Sequence, residues 1–394
     1  MSANSPFARG GAHSSLCYTA GSFRWAGPMP QLATPEATRA YAARFEGKAA
    51  SGHFRDCRGV TLSSLGIGTY LGSADSATDR GYTEAVVEAV LGGINVLDSA
   101  INYRFQRSER SVGAALAELA SRGVSREAVF ICTKGGYLTP DGEMPANPRD
   151  YFSREYFSKG ILRPGDIAGG CHAMTPRFLD DQLARSLRNL GLPSVDLYYL
   201  HNPETQLEEV SPQEFRSRLR AAFEFLESAV AEGRIGRYGL ATWNGFRQPA
   251  DSPTLHSLAD VVAVAREIAG DAHHFAFLQL PVNLMMPEAV VLPNQRVGGR
   301  DLPLLAAAAD LGVTVIASAP TLQGRLGRGM PASLSAAIGL DTDFERALQF
   351  ARSAPGLTTA LVGMSRAEHA RANLRLVSEP PLPPEKFWSL FREE

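Results

Sequence analysis

Residues 94–103 read INVLDSAINY, a short apolar run that ends in an aspartate and is followed five residues later by a tyrosine. An apolar run closed by a polar residue recurs in VFICTK, residues 129–134, and in VDLYYLH, residues 195–201. Runs this short, rich in β-branched and aromatic side chains, predict buried strands. Because longer segments separate them, they indicate a parallel sheet covered by helices.

Outward from these runs, the alternation of strand and helix repeats eight times from residue 65 onward. The predicted strands are Leu65–Tyr70, Ile94–Asp98, Val129–Thr133, Val195–Leu200, Tyr238–Ala241, Phe275–Leu280, Val313–Ser318 and Thr359–Val362. Apolar residues at every third or fourth position predict helices that include Tyr82–Leu91, Glu109–Ala120, Pro212–Glu232, Leu302–Leu311 and Phe344–Arg352. Eight repeats predict a closed (β/α)8 TIM barrel of the α/β class. An open doubly wound sheet would carry GxGxxG after its first strand, and residues 65–72 contain none.

Two segments fall outside this rhythm. Residues 1–60 mix Ser, Gly, Ala and Pro with isolated aromatics, and we expect them to form an N-terminal extension that packs on a barrel of residues 61–394. A Thr-Pro start signal predicts a helix over Thr34–Phe45 within the extension. Residues 135–175 form a long loop insertion after the third strand, over the face where barrel enzymes work, which makes it a candidate lid.

Composition excludes several classes of protein. The formal net charge is −2 and no basic stretch is long enough to follow a phosphate backbone, so we expect no nucleic-acid partner. No run approaches the roughly 18 apolar residues of a membrane span, and none resembles an export signal. The four cysteines lie far apart without a CxxC pair, which favours a reducing cytoplasm and no metal site; they are Cys17, Cys57, Cys132 and Cys171. The sequence leaves the oligomeric state open.

Polar residues stand where three predicted strands end: Asp98, Lys134 and His201. The carboxyl ends of barrel strands form one ring, so these side chains are expected to meet at a single mouth, with Tyr103 on the same loop as Asp98. Each of them alone has an ordinary explanation as a helix cap, a solvated charge or a structural histidine. Their joint position at strand ends favours an active site.

The chemistry of this group is proton transfer. A phenol with a pKa near 10 is a poor acid or base at neutral pH, and a nearby ammonium favours its phenolate form. We therefore expect Lys134 to lower the pKa of Tyr103, Asp98 to keep Lys134 charged, and His201 to orient or polarise a substrate carbonyl.

At this point the sequence resembles the aldo-keto reductase family, over about residues 65–376. The segments that carry the resemblance are LDSAINYRFQRSERSVGAAL, VFICTKGG, VDLYYLHNPE, GRIGRYGLATW and LVGMSRAEHARANL. The resemblance implies that Asp98, Tyr103, Lys134 and His201 are the family's catalytic tetrad, in the family's order. It also implies hydride transfer from a nicotinamide cofactor, generally NADPH, to an aldehyde or ketone, with the tyrosine donating the proton.

The resemblance further implies a set of cofactor contacts on the strand ends and the last helix. They are Gly68, Thr69, Tyr70, Thr242, Gln279, Ser318, Pro320, Leu322, Gly324, Gly363, Ser365, Arg366, His369 and Asn373. Three positions depart from the family. Ala241-Thr242 replaces the usual Ser-Asn that holds the nicotinamide carboxamide, and Ser318 replaces a tyrosine that stacks on the nicotinamide ring.

At the adenosine end, Ser365 takes the place of the basic residue that commonly meets the 2′-phosphate. Arg366 and Arg371 are close by, and an arginine pairs well with phosphate, so either favours NADPH over NADH. The alternative is that both are solvated helix charges.

Two further residues are candidate substrate contacts, His172 in the insertion and Trp243 after the fifth strand. The pair Cys171–His172 lacks the additional ligands that a metal site needs. The aromatic residues of the insertion form either a substrate wall or packing against the barrel, and we favour packing; they are Tyr151, Phe152, Tyr156 and Phe157.

Three hypotheses of function follow. The first is an NADPH-dependent oxidoreductase acting on a small carbonyl or alcohol. The second keeps the acid–base site without net redox, as a lyase, dehydratase or isomerase, and is motivated by the weakened nicotinamide contacts at Ala241, Thr242 and Ser318. The third is a regulatory subunit that senses nucleotide, with residues 1–60 as its interaction element.

Overall fold

The computed structural model describes residues 29–392. The strands in chain order are β1 (Phe54–Cys57), β2 (Val60–Ser63), β3 (Leu65–Gly68), β4 (Val96–Asp98), β5 (Phe130–Gly135), β6 (Val195–His201), β7 (Ile235–Ala241), β8 (Phe275–Pro281), β9 (Gln295–Val297), β10 (Arg300–Leu302), β11 (Thr314–Ser318) and β12 (Leu357–Gly363). Eight of them close into a barrel in the order β11-β12-β3-β4-β5-β6-β7-β8, with every neighbouring pair parallel. The predicted (β/α)8 barrel is confirmed, and the predicted strand ends lie within three residues of these bounds.

Helices cover the outside of the barrel. They are α1 (Pro35–Ala43), α2 (Ser76–Leu91), α3 (Arg107–Ser121), α4 (Pro148–Phe152), α5 (Pro176–Leu190), α6 (Glu204–Leu207), α7 (Pro212–Ala231), α8 (Leu258–Ala269), α9 (Glu288–Val291), α10 (Leu304–Asp310), α11 (Ala332–Ile338), α12 (Asp343–Ser353), α13 (Ala367–Leu374) and α14 (Pro384–Ser389). Local capping explains several starts: the Asp75 carboxylate accepts from the Thr78 amide at α2, and Ser211 accepts from Glu214 at α7. Among residues 29–392, no helix has both the length and the apolar character that crossing a bilayer requires.

Two layers of apolar side chains build the core. The larger lies between the barrel and its helices, and the smaller fills the barrel interior. The β1–β2 hairpin precedes the first barrel strand, and its Leu62 is fully buried among the interior side chains. Interior filling of this kind makes a barrel a packed core, so that a functional cavity opens at its carboxyl end.

The part of the N-terminal extension that lies in the described range packs on the barrel. Thr34 caps α1 by accepting from the Ala37 amide, as its Thr-Pro signal predicts. Tyr41 of that helix is buried, and its hydroxyl donates to the carbonyl of Val90 at 2.5 Å. Residues 1–28, with Cys17, lie outside the described residues.

The insertion is built as a packed unit. Tyr156 is fully buried beside Phe152 and Phe178, and its hydroxyl donates to the Thr139 carbonyl at 3.1 Å. Phe152, Tyr156 and Phe157 therefore pack in one apolar cluster with Phe178 of α5, and none of the four predicted aromatics lies on the wall of the cavity described below. Of the whole insertion, Tyr137 alone is placed on the wall of the cavity described below.

Candidate active site

One cavity of about 900 Å³ opens at the carboxyl ends of the barrel strands. Its inner end lies over the strand ends that carry Asp98, His201 and Gln279. Its outer end runs between the segment that follows β11 and the helix α13. Most of the residues expected at a cofactor site lie on its wall: Gly68, Thr69, Tyr70, Thr242, Gln279, Ser318, Pro320, Gly324, Gly363, His369 and Asn373. Leu322, Ser365 and Arg366 do not.

A buried ion pair forms the floor of the inner end. The Lys134 ammonium donates to a carboxylate oxygen of Asp98 and, at 2.8 Å, to the Ser99 carbonyl. The other Asp98 oxygen accepts from the Gln279 amide at 2.7 Å. Burial is the largest influence on the pKa of Lys134 and lowers it, but the charges of Asp98 and Tyr103 and the hydrogen bonds to them together outweigh burial, and the pKa is raised. Lys134 is therefore a fixed cation inside the barrel, and the amide group of Gln279 serves the ion pair.

Tyr103 lies directly above this cation. The Lys134 nitrogen is 4.8 Å from the centre of the Tyr103 ring. Burial raises the pKa of Tyr103 further than Lys134 lowers it, so the net direction is upward. Lys134 therefore lowers the pKa of Tyr103, as predicted, but desolvation of the phenolate exceeds the attraction of one ammonium. The phenol keeps its proton at neutral pH, as a proton donor must.

His201 completes the group from the neighbouring strand end. Its ring lies 5.7 Å from the Tyr103 ring, and 5.1 Å from that of Tyr137, both nearly perpendicular. Burial, reinforced by the positive charge of Lys134, holds the pKa of His201 well below its usual range. Its buried Nδ1 has no partner among the described residues. A neutral imidazole with free hydrogen-bonding capacity suits contact with an uncharged oxygen.

His172 lies behind His201 rather than on the cavity. It is fully buried, and its Nε2 is 2.7 Å from the His201 carbonyl oxygen. The Gln206 amide donates to its Nδ1 at 2.8 Å, so the proton sits on Nε2 and donates to that carbonyl. The prediction that His172 contacts substrate is corrected: both ring nitrogens are occupied, and the residue positions the backbone of His201.

Gly136 makes the approach of His172 possible. Its φ is +145°, and a β-carbon at that position would lie 2.8 Å from His172 Nε2 and 3.0 Å from the His201 carbonyl oxygen. Gly136, two residues after Lys134, thus serves a close contact at the ends of two neighbouring strands.

The wall next to His201 is fixed by a buried carboxylate. Glu204, three residues after His201 and the first residue of α6, accepts from the amides of Trp243 at 2.7 Å and Asn244 at 3.0 Å. Trp243 lies on the cavity wall, as its prediction as a substrate contact requires. Beside it, Thr242 is buried, and its hydroxyl faces no partner in the described structure. An unpartnered buried hydroxyl is costly unless a ligand meets it.

A strained loop forms one side of the outer end. Ala319, Leu322 and Gln323 have φ values of 47°, 47° and 56°, and Gly324 has 85°. Three left-handed residues other than glycine within six positions cost conformational energy, and strain of this kind clusters at ligand-binding loops. The Asn283 amide holds the loop by donating to the Ala319 carbonyl at 3.0 Å.

The predicted cations of the adenosine end do not lie on the cavity. Arg371 pairs with Glu88 of α2, with Nε 3.0 Å from Oε1. Arg366 is exposed, and its Nη2 lies 3.1 Å from His369 Nε2. The arginine on the wall is Arg375, which the sequence interpretation missed. Its spacing of three from Ala372 is the signal that places it next to a residue of the wall.

Other residues on the wall were also missed. They are Leu71, Asn102, Tyr137, Asn202, Ala319, Thr342, Phe344, Glu345, Leu361 and Ala372. Asn102 and Asn202 stand next to predicted catalytic residues, so their adjacency in sequence was a usable signal. Thr342, Phe344 and Glu345 begin a helix whose approach to the cavity depends on the path of a long connection, and no periodicity reports such a path.

Known proteins resemble this chain in sequence. The model of the aldo/keto reductase family matches residues 64–269. A D-threo-aldose 1-dehydrogenase from a Pseudomonas species is 28% identical over 187 residues, which cover 47% of this chain and 51% of that protein. An NADH-specific methylglyoxal reductase from Escherichia coli K12 is 29% identical over 189 residues, 46% of this chain and 49% of that protein. The chain thus matches about half the length of each relative.

Solved structures share the architecture. An aldo/keto reductase from Klebsiella pneumoniae, in complex with NADP and acetate, superposes with a TM-score of 0.57 at 19% identity, over 86% of this chain and 94% of that one. A glycerol dehydrogenase from Gluconobacter oxydans gives a TM-score of 0.58 at 18% identity, with the same coverages. At these identities the likeness establishes the fold.

Proposed function

The chain belongs to the aldo/keto reductase family, and we propose on that premise that it is an NADPH-dependent oxidoreductase that reduces a small aldehyde or ketone, or oxidises the corresponding alcohol. The observation that carries the proposal is the meeting of Asp98, Lys134, Tyr103 and His201 at the inner end of one cavity. Four proton-handling residues from three strand ends and one loop are more than ligand binding alone requires.

The roles of these residues follow from their charges. Tyr103 is a phenol at neutral pH, so it has a proton to give to the carbonyl oxygen of a substrate. Lys134, held charged by Asp98, stabilises the phenolate that remains. His201 is neutral, so it orients the same oxygen by hydrogen bonding without adding a second fixed cation. A nicotinamide nucleotide supplies the hydride when bound.

The cavity suits a nicotinamide nucleotide in its chemistry and size. A volume of about 900 Å³ lies at the upper end of the range for cofactor sites. The unpartnered hydroxyl of Thr242 offers a hydrogen bond to a carboxamide, and Ser318 leaves space at the inner end where a larger side chain would intrude. The proposed contacts of the nucleotide are Gly68, Thr69, Tyr70, Gln279, Pro320, Gly324, Gly363, His369 and Asn373.

A direct assay tests this function. Purified protein is mixed with NADPH, and separately with NADH, and with a panel of small aldehydes and ketones, while the absorbance of the reduced cofactor is followed. We expect oxidation of the cofactor with at least one carbonyl. Binding of the cofactor without its oxidation by any member of the panel would count against a reductase.

The alternative function is a redox-neutral lyase, dehydratase or isomerase. It is favoured by one observation: Ser318 provides no aromatic ring and Ala241 no polar group at the nicotinamide end. In that case Tyr103 would move protons on a substrate enol or leaving group. Mass spectrometry of the denatured protein separates the two functions. Absence of a nicotinamide nucleotide, together with no rise in Tm when NADP+ or NAD+ is added, supports the alternative.

A further inference from the structure

We propose, resting on the proposed function, that Arg375 is the residue that recognises a 2′-phosphate on the adenosine ribose, and that Asp341 competes with that phosphate for it. Arg375 thus sets the choice between NADPH and NADH in this chain. The two arginines that sequence position favours, Arg366 and Arg371, do not have this role.

The positions of the three arginines separate them. Arg371 leans away from the cavity onto Glu88 of α2, with nitrogen–oxygen distances of 3.0 and 3.5 Å. Arg366 is exposed beyond His369 and lies off the cavity wall. Arg375 follows α13 directly, and with His369 and Asn373 it forms the helix side of the outer end. Only one of these three guanidinium groups is therefore on the wall.

The surroundings of Arg375 hold it at the cavity without saturating it. Its Nη2 lies 2.6 Å from Asp341 Oδ2, and its Nη1 lies 3.2 Å from Glu345 Oε1. A guanidinium has five N–H donors, so further donors remain for a ligand. Two polar residues, Thr342 and Gln323, also lie on the wall of the cavity.

The two carboxylates differ in how firmly they are held. Glu345 is buried, and its Oε2 accepts from the amide and the hydroxyl of Thr342, each at 3.0 Å. Asp341 is 72% exposed at its side chain, so water screens its attraction to Arg375. A phosphate dianion offers stronger, charge-assisted and often bidentate bonds to arginine. The 2′-phosphate can therefore displace Asp341, whereas Glu345 stays in place.

This arrangement predicts moderate selectivity. One arginine is shared between two carboxylates, so the three side chains together carry a net charge of −1 before the ligand arrives. Part of the attraction for a 2′-phosphate is offset by this charge. The wild-type protein is expected to bind both cofactors, with the phosphorylated one bound more tightly.

Fragments without nicotinamide isolate this end of the cavity. Isothermal titration calorimetry of the full chain with 2′,5′-ADP and with 5′-ADP gives the ratio of their Kd values. We expect Arg375→Gln to raise the Kd of 2′,5′-ADP about tenfold and to change that of 5′-ADP less than about twofold. Asp341→Asn should lower the Kd of 2′,5′-ADP about threefold, because it frees the guanidinium.

Arg371→Gln is the matched control, since it removes the same charge from α13, four residues before Arg375 and outside the cavity. In Arg371→Gln, the ratio of the Kd values of 2′,5′-ADP and 5′-ADP should equal that of the wild-type protein. The assignment of Arg375 would be overturned if Arg375→Gln kept the wild-type ratio of Kd values. It would also be overturned if Arg366→Gln, rather than Arg375→Gln, abolished the preference for 2′,5′-ADP. Either result would leave the oxidoreductase proposal intact. Wild-type protein that binds neither NADP+ nor NAD+ would overturn both.

Discussion

The charged groups at the inner end of the cavity are buried, whereas the arginine at the outer end is largely exposed. At the inner end, Asp98 and Lys134 are almost completely buried, and each makes more than one polar contact. At the outer end, Arg375 is 61% exposed at its side chain and is shared between two carboxylates. Removing one partner of a buried ion pair leaves an uncompensated charge and is strongly destabilising, whereas removing one partner of an exposed pair costs little. We therefore expect substitutions at the inner end to have large and coupled effects, and those at the outer end to have small and separate ones.

Tyr103→Phe should give the largest effect at the inner end. It removes the proton donor and keeps the ring, so the Lys134 contact with that ring and the fold are preserved. Loss of general acid catalysis is expected to lower kcat by about 10²- to 10⁴-fold. Steady-state kinetics with the best substrate from the carbonyl panel measures this loss, and the Kd of NADP+ serves as the control. A fall of less than tenfold would remove Tyr103 from the role of proton donor.

Lys134→Met tests whether the inner pair is a single electrostatic unit. The methionine fills similar space but leaves the Asp98 carboxylate buried with Gln279 as its remaining side-chain partner. Breaking a buried pair in this way costs about 3 to 5 kcal/mol of the free energy of unfolding. Urea denaturation at pH 7.5 measures it. The double variant Asp98→Asn with Lys134→Met should recover part of that loss, since no charge is then stranded; a sum of independent losses would contradict the coupling.

The buried residue His172, next to the inner end, should make the free energy of unfolding depend on pH. Burial lowers the pKa of His172 from 6.5 to about 4. The unfolded chain therefore takes up the proton first as the pH falls, and the stability that the neutral ring contributes above pH 6.5 is lost towards pH 4. At pH 5.5 the loss from this residue is about 1.4 kcal/mol relative to pH 7.5. Comparing urea midpoints of the wild type and His172→Gln at both values isolates this contribution, and equal pH dependence in the two proteins would refute it.

The sequence predicted the inner end of the cavity better than the outer end. The family resemblance and the barrel are confirmed, because polar residues at the ends of apolar strands can be read directly and the parallel topology brings those ends together. Asp98, Lys134 and His201 are therefore placed together as predicted. Their catalytic roles stay predictions.

What the sequence missed was burial and the path of the chain. The net pKa of Tyr103 and the orientation of His172 depend on desolvation and on Gln206, which no local pattern reports. The outer end depends on loop conformation, so sequence position alone named Arg366 and Arg371 and missed Arg375, which lies four residues after Arg371 and just beyond the end of α13.

The smallest effect is expected from the strained loop of the outer end. Gln323 is exposed with a φ of 56°, so Gln323→Gly relieves about 1 kcal/mol of backbone strain, while the greater freedom of glycine in the unfolded chain takes back about 0.5 to 1 kcal/mol. The free energy of unfolding should therefore change by less than about 1 kcal/mol. Gly324→Ala is the reciprocal variant: its φ is +85° and a β-carbon there meets nothing within 4 Å, so conformation alone should cost about 1 kcal/mol. Urea midpoints of both variants measure these values. A loss of several kcal/mol in Gln323→Gly would mean that the outer end is as tightly coupled as the buried pair beneath Tyr103, and the contrast between the two ends would fail.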